Sequence, residues 1–309
     1  MLDTIKVFAP ATVANVTCGF DILGFAVDQP GDEITLRKSD SGQVKIIQIT
    51  GDGGALPLDA DKNTCSVVIK MFLKDLGIDQ GIDIYLDKKM PLGSGLGSSA
   101  ASSAAAIFAI NELMGKPKKL EELLPYAMEG ERVACGAAHA DNVAPGLYGG
   151  FVLIRSYDPL DVIKLKTPES LFSTLVHPHI EVNTKDAREI LRKQIYLKDS
   201  VKQSGNVAGL VAGLLTSDYD LISRSMHDYI VEPIRSILIP GYTEVKNRVK
   251  EIGALGAGIS GSGPSIFALS KDEITAQSVG IEMKRIYNDF DIECETYVSR
   301  VNQIGPRIL

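Results

Sequence analysis

Apolar and polar positions along the chain fall into short alternating runs and longer helical ones. Alternation bounded by turn residues predicts strands at residues 5–9, 33–37, 44–49, 81–86, 151–155, 172–177, 265–269 and near 294–298. An SDSG turn separates the second of these from the third. Helical periodicity predicts helices at 65–76, 100–114, 206–215, 221–231, 243–252 and 273–287, with a helix pair over 120–138. Gly77 closes the first, and Gly115 with Pro117 stops the second. Residues 9–28 are small and apolar around Asn15 and Asp21 and read as loop-like, while 51–63 and 232–241 read as loops. Around 156–168 the composition turns polar and carries two prolines, so domains 1–155 and 156–309 are expected.

One stretch organises the rest. Residues 91–102 read PLGSGLGSSAAS, with Gly93, Gly95 and Gly97 within five positions, then Ser98 and Ser99, then the apolar helix. Glycine admits positive φ and lets a ligand approach the backbone closely. The serine pair is expected to cap the orphan N–H groups of the helix start, which with the helix dipole form an anion site. Strand, glycine loop and helix therefore read as a phosphate cradle. No GxxxxGK[ST] occurs, which sets the P-loop NTPases aside. A second glycine run opens at Gly256, GAGISG, and is expected to be a loop leading into the strand at 265–269. It matches a dinucleotide pattern in letters only, because Pro264 follows and leads to a strand rather than a helix.

Composition narrows the field further. A length of 309 residues allows a large core and two domains. The net charge of −7, without a basic block, argues against general nucleic-acid binding but not against phosphate, which local fields can hold. Cys18, Cys65, Cys135 and Cys294 lie far apart without CxxC spacing and read as reduced core residues. Neither a leader pattern nor a run of membrane-spanning length is present, so a cytoplasmic location and no membrane partner are expected. His177 and His179 could share one side of a strand, but two ligands make no zinc site, and a partly buried strand edge is expected there. Arg235 lies between Pro233 and an apolar run, where a charge needs a partner or an anionic ligand.

The loop at 90–101 matches at every position the nucleotide loop of the GHMP small-molecule kinases, and GISGSGPSIFA at 258–268 resembles a second motif of that family. Four further stretches resemble its homoserine-kinase members: APATVANVTCGFDILG, HADNVAPGLYGG, VHPHIEVNT and EPIRSILIPG. Val16, Thr17 and Cys18 depart from the Leu, Gly and Pro usual in the first of them. The resemblance implies a two-domain α+β fold, with mixed sheets packed against helices and the active site in the cleft between domains. It implies that Met90, Pro91, Leu92, Gly93, Ser94, Gly95, Leu96, Gly97, Ser98, Ser99, Ala100 and Ala101 wrap the phosphates of ATP, with Asn63 and Lys88 near the nucleotide. Ser99 and Glu131 would hold Mg²⁺, with Glu129 as the competitor for that role, and Gly261, Ser262 and Gly263 would close the site.

By the same resemblance Asn15, Asp21, His139 and Arg235 hold the amino acid, and Arg188 acts at the transferring phosphoryl group. A zwitterion needs a carboxylate for its ammonium and a guanidinium for its carboxylate, which Asp21 and Arg235 supply. Asp141 is a base in some relatives, whereas in others Asn142 orients the phosphate for direct transfer; both readings stay open. The implied activity is ATP-dependent phosphorylation of L-homoserine, a step of threonine biosynthesis. Its alternatives are a kinase of another small alcohol and a non-catalytic relative. A homodimer is compatible with all of them.

Overall fold

β1 (Thr4–Ala14) and β2 (Leu23–Ser39) form a long antiparallel hairpin, where the loop-like reading of residues 9–28 is corrected. The stretch lacks alternation because Ala9, Ala11 and Val13 on one side, and Phe8 and Ala14 on the other, are all buried. The structure, a computed structural model, describes residues 2–309; the side chains of Ala134 and Cys135, and with them the expectation for Cys135, lie outside the described residues.

The hairpin is the centre of a seven-stranded sheet with β3 (Val44–Thr50), β4 (Gly81–Asp87), β5 (Phe151–Tyr157), β6 (Leu160–Leu165) and β11 (Arg307–Ile308). Its order is β11-β1-β2-β4-β3, and β5 joins the start of β2 and carries β6; the β3–β4 pair is parallel. α1 (Thr64–Asp75), α2 (Ser98–Leu113) and α4 (Ala140–Tyr148) pack on this sheet, and α3 (Leu120–Cys135) packs on those three helices. The helix pair expected over 120–138 is one helix, α3, and its partner α4 begins only after His139. α2 is buried almost all round and touches β1, β2 and the other three helices. Its alanines permit that approach: a Cβ on Gly130 of α3 would stand 2.3 Å from Ser103 Oγ.

The second sheet runs β10 (Cys294–Arg300), β7 (Phe172–Pro178), β9 (Ile266–Ser270), β8 (Gly256–Ile259). The glycine run expected as a loop from Gly256 is therefore strand as far as Ile259, and the loop proper is 260–265. β7 is an interior strand, so His177 is not on an edge; its ring is buried against Ser265 Oγ at 3.2 Å. Around this sheet lie α5 (Thr184–Glu189), α6 (Leu197–Thr216), α7 (Tyr219–Ser225), α8 (Glu232–Arg235), α9 (Tyr242–Ile252) and α10 (Glu273–Asp289). The helix expected over 221–231 stops at Ser225. Asp228 is the reason: its carboxylate accepts the amides of Ile230, Val231 and Glu232 and winds the chain into a turn. The 232–241 loop contains α8 and a 3₁₀ turn, Ser236–Leu238.

The expected boundary at 155/156 falls inside β5, and the chain stays in the first sheet to Leu165, returning to it at β11. The two halves share one core. Phe25 of β2 stacks on Phe151 of β5 with centroids 4.6 Å apart and meets Phe267 of β9 edge-on at 5.7 Å. Cys18 and Cys65 are buried, Cys294 is half-buried, and all three thiols are free. Among the described residues no helix is long and apolar enough to cross a membrane.

Gly24 sits where β2 passes beneath α4, and a Cβ there would fall 1.8 Å from the carbonyl oxygen of Asp141. The obstacle is backbone and cannot rotate away. Gly24→Ala should therefore lower the unfolding free energy by about 3 kcal/mol or more in a denaturant titration. A loss below about 1 kcal/mol would show that β2 and α4 are not so packed.

Candidate active site

The phosphate loop connects β4 to α2, and Gly93, Gly95 and Gly97 all have positive φ, at 68°, 79° and 69°. Two of these positions are also sterically closed. A Cβ on Gly95 would lie 2.5 Å from the Ser260 carbonyl, and one on Gly97 would lie 2.0 Å from Thr12 Oγ1. No such obstacle faces Gly93, which lines the open cleft. The expected serine cap is absent: Gly97 is the N-cap residue of α2 and no side chain caps that end. Ser98 and Ser99 already lie inside the first turn, so their hydroxyls turn to Asp32 and Glu131 instead. The helix start, with its dipole, is thereby left for an anion from outside.

Asp32 ties this loop down. It is fully buried in β2 and pairs with the ammonium of Lys88, while accepting the amides of Lys89 at 2.9 Å and Met90 at 3.2 Å. Lys88 also donates to the Ser98 carbonyl at 2.9 Å and to Ser102 Oγ at 2.8 Å. Asn63 is similarly committed, accepting Cys65 N–H as the cap of α1 and donating to the Pro57 carbonyl. Both residues line a side cavity of about 220 Å³ that meets the main cleft at Leu92, Ser98 and Ser99. Sequence reading singled out Lys88 but missed Asp32, which follows Gln29, Pro30 and Gly31, is followed by Glu33 and carries no distinguishing signal in the sequence.

The loop 260–265 closes over the phosphate loop. Ser260 Oγ donates to the Gly95 carbonyl at 2.7 Å, and Ser265 N–H donates to the Ser94 carbonyl at 3.2 Å. Between them opens a cleft of about 310 Å³, which collects residues from both halves. A larger cavity, about 710 Å³, lies on the other side of Phe20 but is lined by apolar side chains with Gln203 and Ser204 and has no charged group for a phosphate.

At the cleft's phosphate end the Ser99 hydroxyl donates to the carboxylate of Glu131 at 2.7 Å, and Glu131 is buried. Glu129 points outward to Arg132, whose guanidinium holds its carboxyl below the usual range. Ser99 and Glu131 are hard oxygen donors side by side, the kind of pair that completes an octahedral Mg²⁺ shell together with phosphate oxygens and water. Among the described residues no cluster of three His, Cys, Asp or Glu side chains could hold a metal by itself.

At the other end, the turn between β1 and β2 carries Asn15, Val16, Thr17 and Asp21 at positive φ. Thr17, at 57°, stands where glycine is usual among the resembling sequences. Asn15 braces the turn, accepting Asp21 N–H at 3.0 Å and donating to the Gly261 carbonyl at 2.7 Å. The Asp21 carboxylate receives both arms of Arg188, at 2.8 and 3.1 Å. Arg235 is 3% exposed; it donates to the carbonyls of Ala187 and Gly261, and its guanidinium stands 5.1 Å from the centre of the Phe20 ring. Burial, and then Arg188, pull its pKa down to about 10. Arg188, expected at the phosphoryl group, is thus held at the Asp21 end. Phe20 and Thr184, whose hydroxyl lies 3.1 Å from that of Ser262, also line the cleft; both lie within resembling stretches, but neither was singled out as a site residue.

His139 precedes α4 and lines the cleft without capping the helix. Asp141 is 2% exposed and its Oδ1 has no hydrogen-bond partner. Burial first, then the charge of Asp21, push its carboxyl pKa up to about 7. The neighbouring Asn142 is fixed by Thr12, whose hydroxyl donates to Oδ1 at 3.0 Å.

Known proteins of similar sequence and structure carry related sites. The families described as GHMP kinases N terminal domain and GHMP kinases C terminal match residues 63–150 and 210–289. A homoserine kinase of Chlorobium phaeobacteroides is 51% identical, with 100% of both chains covered, and one of Xylella fastidiosa is 38% identical over 98% of this chain and 94% of its own. The crystal structure of homoserine kinase from Cytophaga hutchinsonii superposes with a TM-score of 0.98 at 63% identity, covering 100% of this chain and 98% of that one. Mevalonate kinase of Methanococcus jannaschii, at 17% identity and a TM-score of 0.71 over 97% and 98% of the two chains, shares the fold.

The Lys88–Asp32 pair and the Lys89–Glu33 pair, adjacent in sequence, differ in burial. Removing one partner of a buried pair strands a charge, so Lys88→Met should cost about 3–5 kcal/mol of stability. Lys89→Met, at a half-exposed position, should cost less than about 1 kcal/mol. Equal losses in chemical denaturation would contradict the assignment of Asp32 as the anchor.

Proposed function

The chain belongs to the GHMP kinases, in their homoserine-kinase branch, and from that premise we propose how its cleft works. The activity is ATP-dependent phosphorylation of the side-chain hydroxyl of L-homoserine, giving O-phospho-L-homoserine and ADP, a step of threonine biosynthesis. The free thiols Cys18, Cys65 and Cys294 suit a reducing, cytoplasmic setting.

The glycine loop and the uncapped start of α2 receive the phosphates of ATP. Ser99 and Glu131 would hold Mg²⁺, which would supply charge neutralisation to the phosphate oxygens. Homoserine lies towards Asp21 and Arg235, with Asn15 and His139 beside it. Its ammonium takes over the Asp21 carboxylate from Arg188, and Arg188 is then free to meet an anion of the ternary complex. The observation that carries the reading is Asp141: a buried carboxyl lining the cleft with an unpartnered oxygen, its pKa pushed up to about 7. It accepts the proton of the homoserine hydroxyl as that oxygen attacks the γ-phosphorus and the bond to ADP breaks. Asn142, fixed by Thr12, orients the phosphoryl group.

Two outcomes follow. A coupled ADP-release assay with homoserine and mevalonate should show strong preference for homoserine. Asp21→Asn and Arg235→Leu should each raise its KM by 30-fold to several-thousand-fold, since a lost charge pair costs roughly 2–5 kcal/mol. The KM for ATP should stay near the wild-type value. If both variants weaken ATP and spare amino-acid discrimination, the substrate end is misassigned.

The pH dependence of kcat/KM tests Asp141. The rate should fall tenfold per unit below about pH 7, where the base becomes protonated, and Asp141→Asn should abolish this break along with most of the rate. Stability moves the other way. A carboxyl raised from 3.8 to about 7 contributes stability that is present below about pH 4 and lost as pH rises through 7. The gain in Tm of Asp141→Asn over wild type should therefore be larger at pH 8 than at pH 5. A pH-independent difference would remove the buried, titrating carboxyl from the mechanism.

A further inference from the structure

All the polar groups of Asp21 are engaged, and one of its partners belongs to no motif of the site. Its N–H goes to Asn15, its carboxylate to Arg188, and its carbonyl oxygen accepts the hydroxyl of Tyr157 at 3.0 Å. Tyr157 is the last residue of β5, on the hairpin to β6. One hydroxyl therefore ties the turn that presents Asp21 to the end of β5.

We propose that Tyr157 is a positioning residue of the substrate site, which holds the Asp21 turn against the end of β5 and so sets recognition of the substrate's ammonium group. The turn needs such a hold. Asp21 is a non-glycine residue at φ 59°, and Asn15, Val16 and Thr17 in the same turn are also left-handed. Backbone in that region persists only where its surroundings over-determine it. The carboxylate must stay in place when the ammonium displaces Arg188, and at that moment the bonds of Asn15 and Tyr157 to the Asp21 backbone remain. Although the ring is 42% exposed, partial burial of its hydroxyl end and the charges of Asp141 and Asp21 raise the phenol's pKa above its ordinary value, so it stays a donor at neutral pH.

This inference rests on Asp21 as the ammonium site, and the experiment separates the two. Homoserine and ATP kinetics are measured for the full chain carrying Tyr157→Phe, Asp21→Asn or Tyr219→Phe. Tyr219 is the control, because its hydroxyl also donates to a backbone carbonyl, Ser170, away from the cleft. Tyr157→Phe should raise the KM for homoserine about five- to tenfold, with kcat and the KM for ATP within about twofold. It should also narrow the preference for homoserine over an analogue lacking the amino group, whereas Tyr219→Phe should change neither. An unchanged homoserine KM in Tyr157→Phe beside a raised one in Asp21→Asn would overturn the role of Tyr157 alone. An unchanged KM in Asp21→Asn would overturn the ammonium site itself. If Tyr157→Phe raises both KM values together, or Tyr219→Phe matches it, the tyrosine is merely structural and the proposal fails.

Discussion

The ion pair of Lys88 and Asp32 is the constraint on which the glycine loop and its side of the cleft depend. Their side chains are 1% and 0% exposed, and at that depth Coulomb attraction alone does not repay the loss of hydration. The deficit is offset by protein groups that replace water: two loop amides and the Ser98 hydroxyl on Asp32, the Ser98 carbonyl and the Ser102 hydroxyl on Lys88. Those same bonds join β2, the exit of β4 and the first turn of α2. The phosphate loop is consequently held at both its ends before any ligand arrives. Preorganised donors of this kind avoid reorganisation at the moment of reaction, which is where phosphoryl transfer gains most from a protein.

From that anchor the cleft is built outward in two different materials. The end proposed to take phosphate is backbone: three left-handed glycines, an uncapped helix start, and a second loop pressed so close that Gly95 has no room for a side chain. The end proposed for the substrate is side-chain charge, with Asp21 on a strained turn and Arg188, Arg235 and Asp141 lining the same cleft. Main-chain dipoles suit a ligand whose charge is spread over many oxygens. Opposed point charges suit a zwitterion, which must be told apart from other small alcohols by where its two charges lie. The shared core around Phe25, Phe151 and Phe267 keeps the two ends in register, because the strands that carry them are packed as one body.

Much of this was legible in the sequence wherever the cause was local. Glycine at positive φ is a property of the residue itself, so the phosphate loop at 91–97 and the turns after α1 and α2 could be placed from their letters. Pro264 excluded a dinucleotide site for an equally local reason, since it precludes the helix that site requires. The family motifs brought Asn15, Asp21, Glu131, His139, Asp141, Arg188 and Arg235 together on paper, and all of them line one cleft.

What the sequence withheld was set by contacts between distant residues. Residues 9–28 resemble a loop because both faces of the hairpin are covered, and covering is decided by α2, α4 and the second sheet. The Ser98–Ser99 pair looked like a cap, but register put Gly97 in the cap position and sent both hydroxyls to acids far away in sequence, Asp32 and Glu131. Arg188 meets Asp21 across 167 residues, and the carboxyl of Asp141 titrates near neutrality only because folding buries it beside another acid. Residue types and local backbone preference determined the chemistry this chain can hold. Which charges are buried, and which are left for the substrate, was decided by packing, since burial and electrostatic neighbours exist only once the chain has folded.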